Sequence, residues 1–162
     1  MNRLNALRIG GVVVCFAFVL TAAVRVGFAQ TDSHSGTWVL NLEKSKYAPG
    51  TAPKSQTTVF SADSQGIKVV TDAVTASGPS KTEYTATFDG KDHPVKGNAD
   101  WDTTALKRVD PRTIEFTRKK GGKVVQTARS VVAADGKSRT VTVTGVNAQG
   151  QKVDTVALYI KK

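Results

Sequence analysis

Two histidines and a scatter of carboxylates are the groups in this chain best suited to proton transfer or metal binding, and their spacing argues against both. His34 follows Asp32 and Ser33, but three consecutive residues in a polar leader cannot converge as base, orienter and nucleophile must. His93 has Asp89, Asp92, Asp100 and Asp102 near it in sequence, and Asn98-x-Asp100-x-Asp102 matches the first three ligand positions of a calcium loop. The match then fails, because Thr103 stands where the sharp-turn glycine belongs and Val109 where the bidentate glutamate should be. A zinc-binding helix motif, a phosphate loop, a nucleophile elbow and a dinucleotide fingerprint are all missing. The expectation is a protein that is not an enzyme, with no catalytic residue, no metal and no cofactor.

Binding chemistry has one better candidate. Along Lys137 to Gly145, Arg139 falls on one face with Val141 and Val143, while Ser138, Thr140, Thr142 and Thr144 fall on the other. If the valines face a core, so does Arg139. A guanidinium turned inward needs an internal carboxylate, ordered water or the acid group of a bound ligand; near a hairpin end its long stem can instead reach solvent. Tyr84, Phe88 and Phe116 lie on apolar faces and would line a cavity if the fold is hollow, or pack as core if it is filled. A hollow interior predicts an enclosed apolar cavity of about 300 Å³ or more.

These side chains must be positioned by strands. Glycines at 122, 136 and 150 recur every 14 residues between runs of Val, Thr, Ala and Ser. Asp135-Gly136 reads as a two-residue type I′ hairpin, with Gln149-Gly150 and Gly121-Gly122 as weaker versions of it. Upstream, Thr37 to Leu42 alternates with Trp38, Leu40 and Leu42 on one face, and Lys81 to Asp89 places Tyr84, Ala86 and Phe88 opposite Glu83, Thr85 and Thr87. Further strands are expected at Lys54 to Ser61, Ile67 to Thr75, Asp102 to Val109 and Arg112 to Lys119, with Asp92 to Asn98 a short irregular piece. Pro49-Gly50 and Pro53 exclude a long helix after the first strand. The fold class expected is all-β: one antiparallel up-and-down barrel of about eight to ten strands, with a β-sandwich as the alternative. Closure removes the unpaired edges that such a sheet would otherwise expose.

Residues 1–29 carry Arg3 and Arg8, then an uncharged apolar run from Ile9 to Val24, then Gly27-Phe28-Ala29, which is the layout of a secretory signal. The run is shorter than the roughly 20 residues a spanning helix needs. The expected organisation is therefore a signal peptide at 1–29, a flexible leader at 30–35 and a barrel domain at 36–162, located in the periplasm or secreted. Cys15 leaves with the signal, so packing alone must hold the fold. The net charge of +10 loses three arginines with the signal segment but stays positive, which favours peripheral contact with anionic envelope components. Phe116-Thr117-Arg118-Lys119-Lys120 mixes an aromatic with cations, yet the chain has no series of exposed aromatics to stack bases, so no nucleic-acid partner is expected. A monomer is expected.

The first strand Gly36-Thr37-Trp38-x-Leu40-Asn41, the ten or so hairpin-linked strands and the aromatic-basic tail resemble the calycins, that is, lipocalins and fatty-acid-binding proteins. With Lys44-Ser45-Lys46-Tyr47 and Pro49-Gly50, the chain is also similar to small exported bacterial proteins of the G-T-W-x-L-N type. The resemblance implies a barrel closed at one mouth by Trp38, with Gly36 letting the backbone pass beneath and Arg129 as the basic residue stacked on the indole. It also implies a small hydrophobic or amphiphilic ligand held inside, with Tyr84, Phe88, Phe116 and Arg139 as candidate lining. Two features depart from the fatty-acid-binding pattern. Ala157 stands where an arginine should precede Tyr159 by two residues, and 43–53 is too short and too rich in Pro and Gly for a helical lid. The competing reading is a ligandless envelope protein acting through its basic surface.

Overall fold

The structure, a computed structural model, describes residues 32–162; the expected signal segment at 1–29, with Cys15, lies outside them. Ten strands follow one another in a meander: β1 (Gly36–Lys46), β2 (Ser55–Ala62), β3 (Gly66–Thr75), β4 (Gly78–Thr87), β5 (Asp92–Lys96), β6 (Thr103–Asp110), β7 (Thr113–Lys120), β8 (Lys123–Val132), β9 (Ser138–Val146) and β10 (Lys152–Lys161). Each pairs antiparallel with its sequence neighbours, and β1 pairs with β10, so the sheet is a closed up-and-down barrel. The β-rich composition of the strand runs meets the edge problem by closure, and the sandwich alternative is set aside.

The turns differ from expectation in an instructive way. No non-glycine residue among those described has a positive φ, so Asp135-Gly136 cannot be a type I′ turn, which needs φ > 0 at both central residues. Instead Gly136 N–H donates to Ala133 O (2.9 Å) and Gly136 alone takes the left-handed conformation, at φ 69°. The true type I′ signature is at Gly121-Gly122, with φ of 54° and 79° between the paired Lys120 and Lys123.

Alternation along each strand decides what lies inside. The buried cluster includes Trp38, Phe60, Ile67, Val69, Leu106 and Ile114, contributed by β1, β2, β3, β6 and β7. In β1 the alternation breaks: pairing with β10 shifts between Asn41 and Lys46, where Ser45 Oγ accepts from Leu158 N–H (2.9 Å) and Asn41 Oδ1 from Lys44 N–H (3.0 Å). That bulge turns Leu42 out to 39% exposure, away from the face of Trp38.

The polar leader is not loose over its last four residues. Ser33 Oγ donates to Pro111 O (2.6 Å), Ser35 Oγ to Ala62 O (3.0 Å), and Asp32 Oδ2 meets Arg108 Nη2 at 2.5 Å. His34 is fully buried, and its carbonyl accepts the Trp38 indole N–H at 2.8 Å. Residues 32–35 thus fold under one mouth of the barrel. Burial of the Trp38 indole beside it contributes up to roughly 4–6 kcal/mol.

The upper half of the β8–β9 ribbon depends on Gly145, whose φ is 141° and where a side chain would strike the Val125 carbonyl. Gly145→Ala is expected to lower the unfolding free energy by roughly 2 kcal/mol, combining backbone strain with lost ladder geometry. Urea denaturation followed by tryptophan fluorescence measures it.

Candidate functional site

The lower part of the barrel is filled and the upper part is not. Above the core lies a chamber of about 150 Å³ whose lining includes Phe60, Tyr84, Trp101, Phe116, Arg139 and Tyr159. It shares Thr71, Thr82, Arg118 and Tyr159 with a vestibule of about 700 Å³, framed by the turns after β1, β3, β5 and β9. The interior is neither solid nor the enclosed apolar cavity expected of a hollow barrel. It is smaller at the bottom, open at the top, and partly polar, with Gln56, Thr58, Thr71, Thr82 and Ser130 in its wall.

Arg139 is the best-buried cation in this wall, at 3% exposure. Its guanidinium carbon lies 4.2 Å from the Phe60 ring centroid, 4.6 Å from that of Tyr159 and 5.3 Å from that of Trp38. These rings supply quadrupole attraction but no counter-charge. Its Nε–H has no hydrogen-bond partner among the described residues, and no carboxylate lies within ion-pairing distance. Desolvation pulls its pKa down to about 10, which still leaves it cationic at neutral pH.

Arg118 is the second cation, partly exposed at the neck between chamber and vestibule. It follows Ile114 and Phe116 at alternate positions of β7 and therefore shares their inward face. Its Nη1–H donates to Gln126 Oε1 (3.0 Å), its guanidinium carbon lies 4.6 Å from the Trp101 ring centroid, and its Nε–H is unpaired. Burial lowers its pKa too, partly offset by Tyr84, Tyr159 and Asp100. Trp101, from the β5–β6 connection, meets Tyr84 edge to face at 5.9 Å. Desolvation raises the Tyr84 phenol to about 12 and that of Tyr159 in the same direction, so both remain neutral hydroxyls.

The expected lining residues divide. Tyr84, Phe116 and Arg139 come together around the chamber. Phe88 does not; just past β4, it lies 4.0 Å under the Arg108 guanidinium, away from the chamber wall. Arg129 does not stack on Trp38. It alternates outward between buried Ala128 and Ser130, half exposed, and pairs with Glu115 at 2.7 Å. The cations facing the indole are Lys161 Nζ at 5.1 Å and Arg139 at 5.3 Å. Gly36, at φ 126°, lets the Lys161 stem pass where a side chain would collide. Arg118, Trp101 and Gln126 were missed, although the period of two through Ile114 and Phe116 already pointed to Arg118. Tyr159, dismissed for lack of an arginine two residues before it, faces Arg139 directly across the β9–β10 ladder.

Under the chamber floor, His34 Nδ1 lies 3.5 Å from Asp32 Oδ1 and 3.4 Å from Ser33 Oγ, so the three consecutive residues do converge. They do so in a half-buried turn, with only the histidine fully enclosed. The other ring nitrogen faces the Ser130 backbone without a well-formed hydrogen bond. Burial lowers the His34 pKa to about 4; Asp32 opposes the shift, and Arg139 and Arg108 add to it. Among the described residues no group of three His, Cys, Asp or Glu side chains is placed to hold a metal ion. No protein-family model and no curated protein matches the chain in sequence.

The histidine makes a prediction. Between its unfolded value of 6.5 and its folded value of about 4, the unfolded chain binds a proton that the folded chain refuses. Stability therefore falls as pH drops through that window, by about 3 kcal/mol in all, and levels off below it. Chemical denaturation of wild type and His34→Gln across pH 4–7 tests this, the slope being shallower in the variant.

Proposed function

We propose that the protein is an exported, lipocalin-like carrier whose barrel holds a small amphiphile, its anionic head drawn into the chamber and its tail rising into the vestibule. The observation that carries this reading is the Arg139 guanidinium, cationic, enclosed by three aromatic rings and without an acidic partner among the described residues. A buried charge left so is destabilising unless something in the cavity compensates it. A bound oxyanion does that, and the phenols of Tyr84 and Tyr159 are the neutral donors suited to help orient it. Selection rests on non-covalent burial, with the basic floor setting which end enters first. The signal-like 1–29 segment favours action outside the cytoplasm.

Two measurements on one variant test the proposal. Arg139→Met should raise the stability of the unliganded protein by roughly 1 kcal/mol, because the lost desolvation penalty exceeds the lost cation–π attraction. The same change should weaken binding of the anionic dye 1-anilinonaphthalene-8-sulfonate at least tenfold by fluorescence titration. A dye that does not bind the wild type, together with native mass spectra of protein from its own source that show only the bare polypeptide, would sink the carrier reading.

A further inference from the structure

The chamber contains more positive charge than one acid group would balance. Arg139 stands at its floor and Arg118 at its neck, and the fields of both arginines reach the same two phenols, Tyr84 and Tyr159. The four side chains therefore surround one space. Each guanidinium keeps an unpaired, buried Nε–H. Among the described residues the chamber wall includes no Asp or Glu. The nearest acidic influence on Arg118 comes from Asp100 in the vestibule, whose Oδ1 is already engaged by the Ala148 N–H at 2.8 Å.

Several cations outside the chamber have acidic partners. Beneath the floor, Arg108 is neutralised by Asp32. On the outer wall, Arg129 pairs with Glu115 and Lys119 with Asp92. The two chamber arginines differ from these in facing a chamber whose wall has no carboxylate among the described residues, where the reduced local dielectric strengthens attraction to an entering anion. The other polar groups around the chamber are hydroxyls and an amide, from Thr58, Thr71, Thr82, Ser130 and Gln56, with Gln126 beside Arg118 at the neck. They can donate to several oxyanion oxygens at once, more than a single carboxylate offers.

We infer that the amphiphile carries a dianionic head of the phosphate-monoester kind, held jointly by Arg139 and Arg118. This rests on the carrier reading and makes it specific: a carboxylate or sulfate head satisfies one guanidinium, whereas a head with two negative charges satisfies both. Guanidinium planes are suited to bidentate contact with phosphate oxygens. The chamber, at about 150 Å³, suits a compact head, and the wider vestibule suits a flexible tail.

Isothermal titration at pH 8, with each ligand below its micellar concentration, separates the possibilities. Octyl phosphate, octyl sulfate and octanoate share a tail; phosphate and sulfate share a tetrahedral head and differ in charge. Octyl phosphate should bind at least tenfold more tightly than either monoanion. Its advantage should shrink as pH falls below the second phosphate ionisation near 6. Arg118→Met should remove most of the preference of phosphate over sulfate and octanoate, and Arg118→Lys should restore part of it. Circular dichroism confirms that each variant folds. Equal affinity for phosphate and sulfate, or a preference unchanged in Arg118→Met, overturns the dianion inference while the carrier reading stands. Failure of all three ligands to bind overturns both.

Discussion

A guanidinium that is 3% exposed, ringed by Phe60, Tyr159 and Trp38 and facing no carboxylate among the described residues, is expensive to hold in a folded protein. Replacing such a group by a hydrocarbon of similar volume commonly stabilises a fold, so its presence constrains everything around it. The rings keep water from solvating the charge on its apolar side and return a small quadrupole attraction. The polar wall above leaves the other side open to a partner. The floor below is sealed, so that solvent reaches this side of the lumen only from above.

That seal is built from the leader and the first strand together. Trp38 fills the axis, and its indole N–H is satisfied by the His34 carbonyl. His34 is held by the Asp32–Ser35 turn, which is tied in turn to Pro111, Ala62 and Arg108. Asp32 neutralises Arg108, so the floor adds little net charge beneath Arg139. A neutral His34 suits this place. Protonating it would add a third cation near Arg139 and Arg108, which is why burial and both arginines push its pKa in the same direction.

Much of the fold was legible because strand periodicity is a local property. The inward faces of β4, β7 and β9 follow from alternate residues, and the meander follows from glycine spacing. Features that depend on distant contacts were not legible. Leu42 left its expected face because Ser45 captures a backbone N–H from β10, a contact across 113 positions. The leader was read as flexible because polar residues near a terminus usually are; the order of residues 32–35 comes from the Ala62 and Pro111 carbonyls and the Arg108 guanidinium, all distant in sequence. Arg129 was paired with Trp38 by resemblance, and simple parity between Ala128 and Ser130 turns it outward. Arg118 is the opposite case. Its parity with Phe116 was present in the sequence, but with Lys119 and Lys120 beside it the stretch reads as a mixed aromatic and basic run instead of one inward face.

The division between filled and hollow halves follows from where inward apolar side chains give way to polar ones. On β6, Leu106 faces the axis low in the barrel, as Ile114 does on β7 and Val132 on β8; higher up, β7 offers Arg118 and β8 offers Gln126. On β2 and β3 the same change runs from Phe60 and Ile67 to Gln56 and Thr71. Threonine and glutamine side chains cannot close the axis of a ten-stranded barrel without burying unpaired polar groups, so the strands remain apart and a lumen persists. The core that stabilises the barrel and the chamber that could take a ligand are thus consecutive segments of the same strands. Stability resides in the lower segment, and the upper segment is free to keep an arrangement of charges that a protein selected for stability alone would have replaced with leucine or methionine.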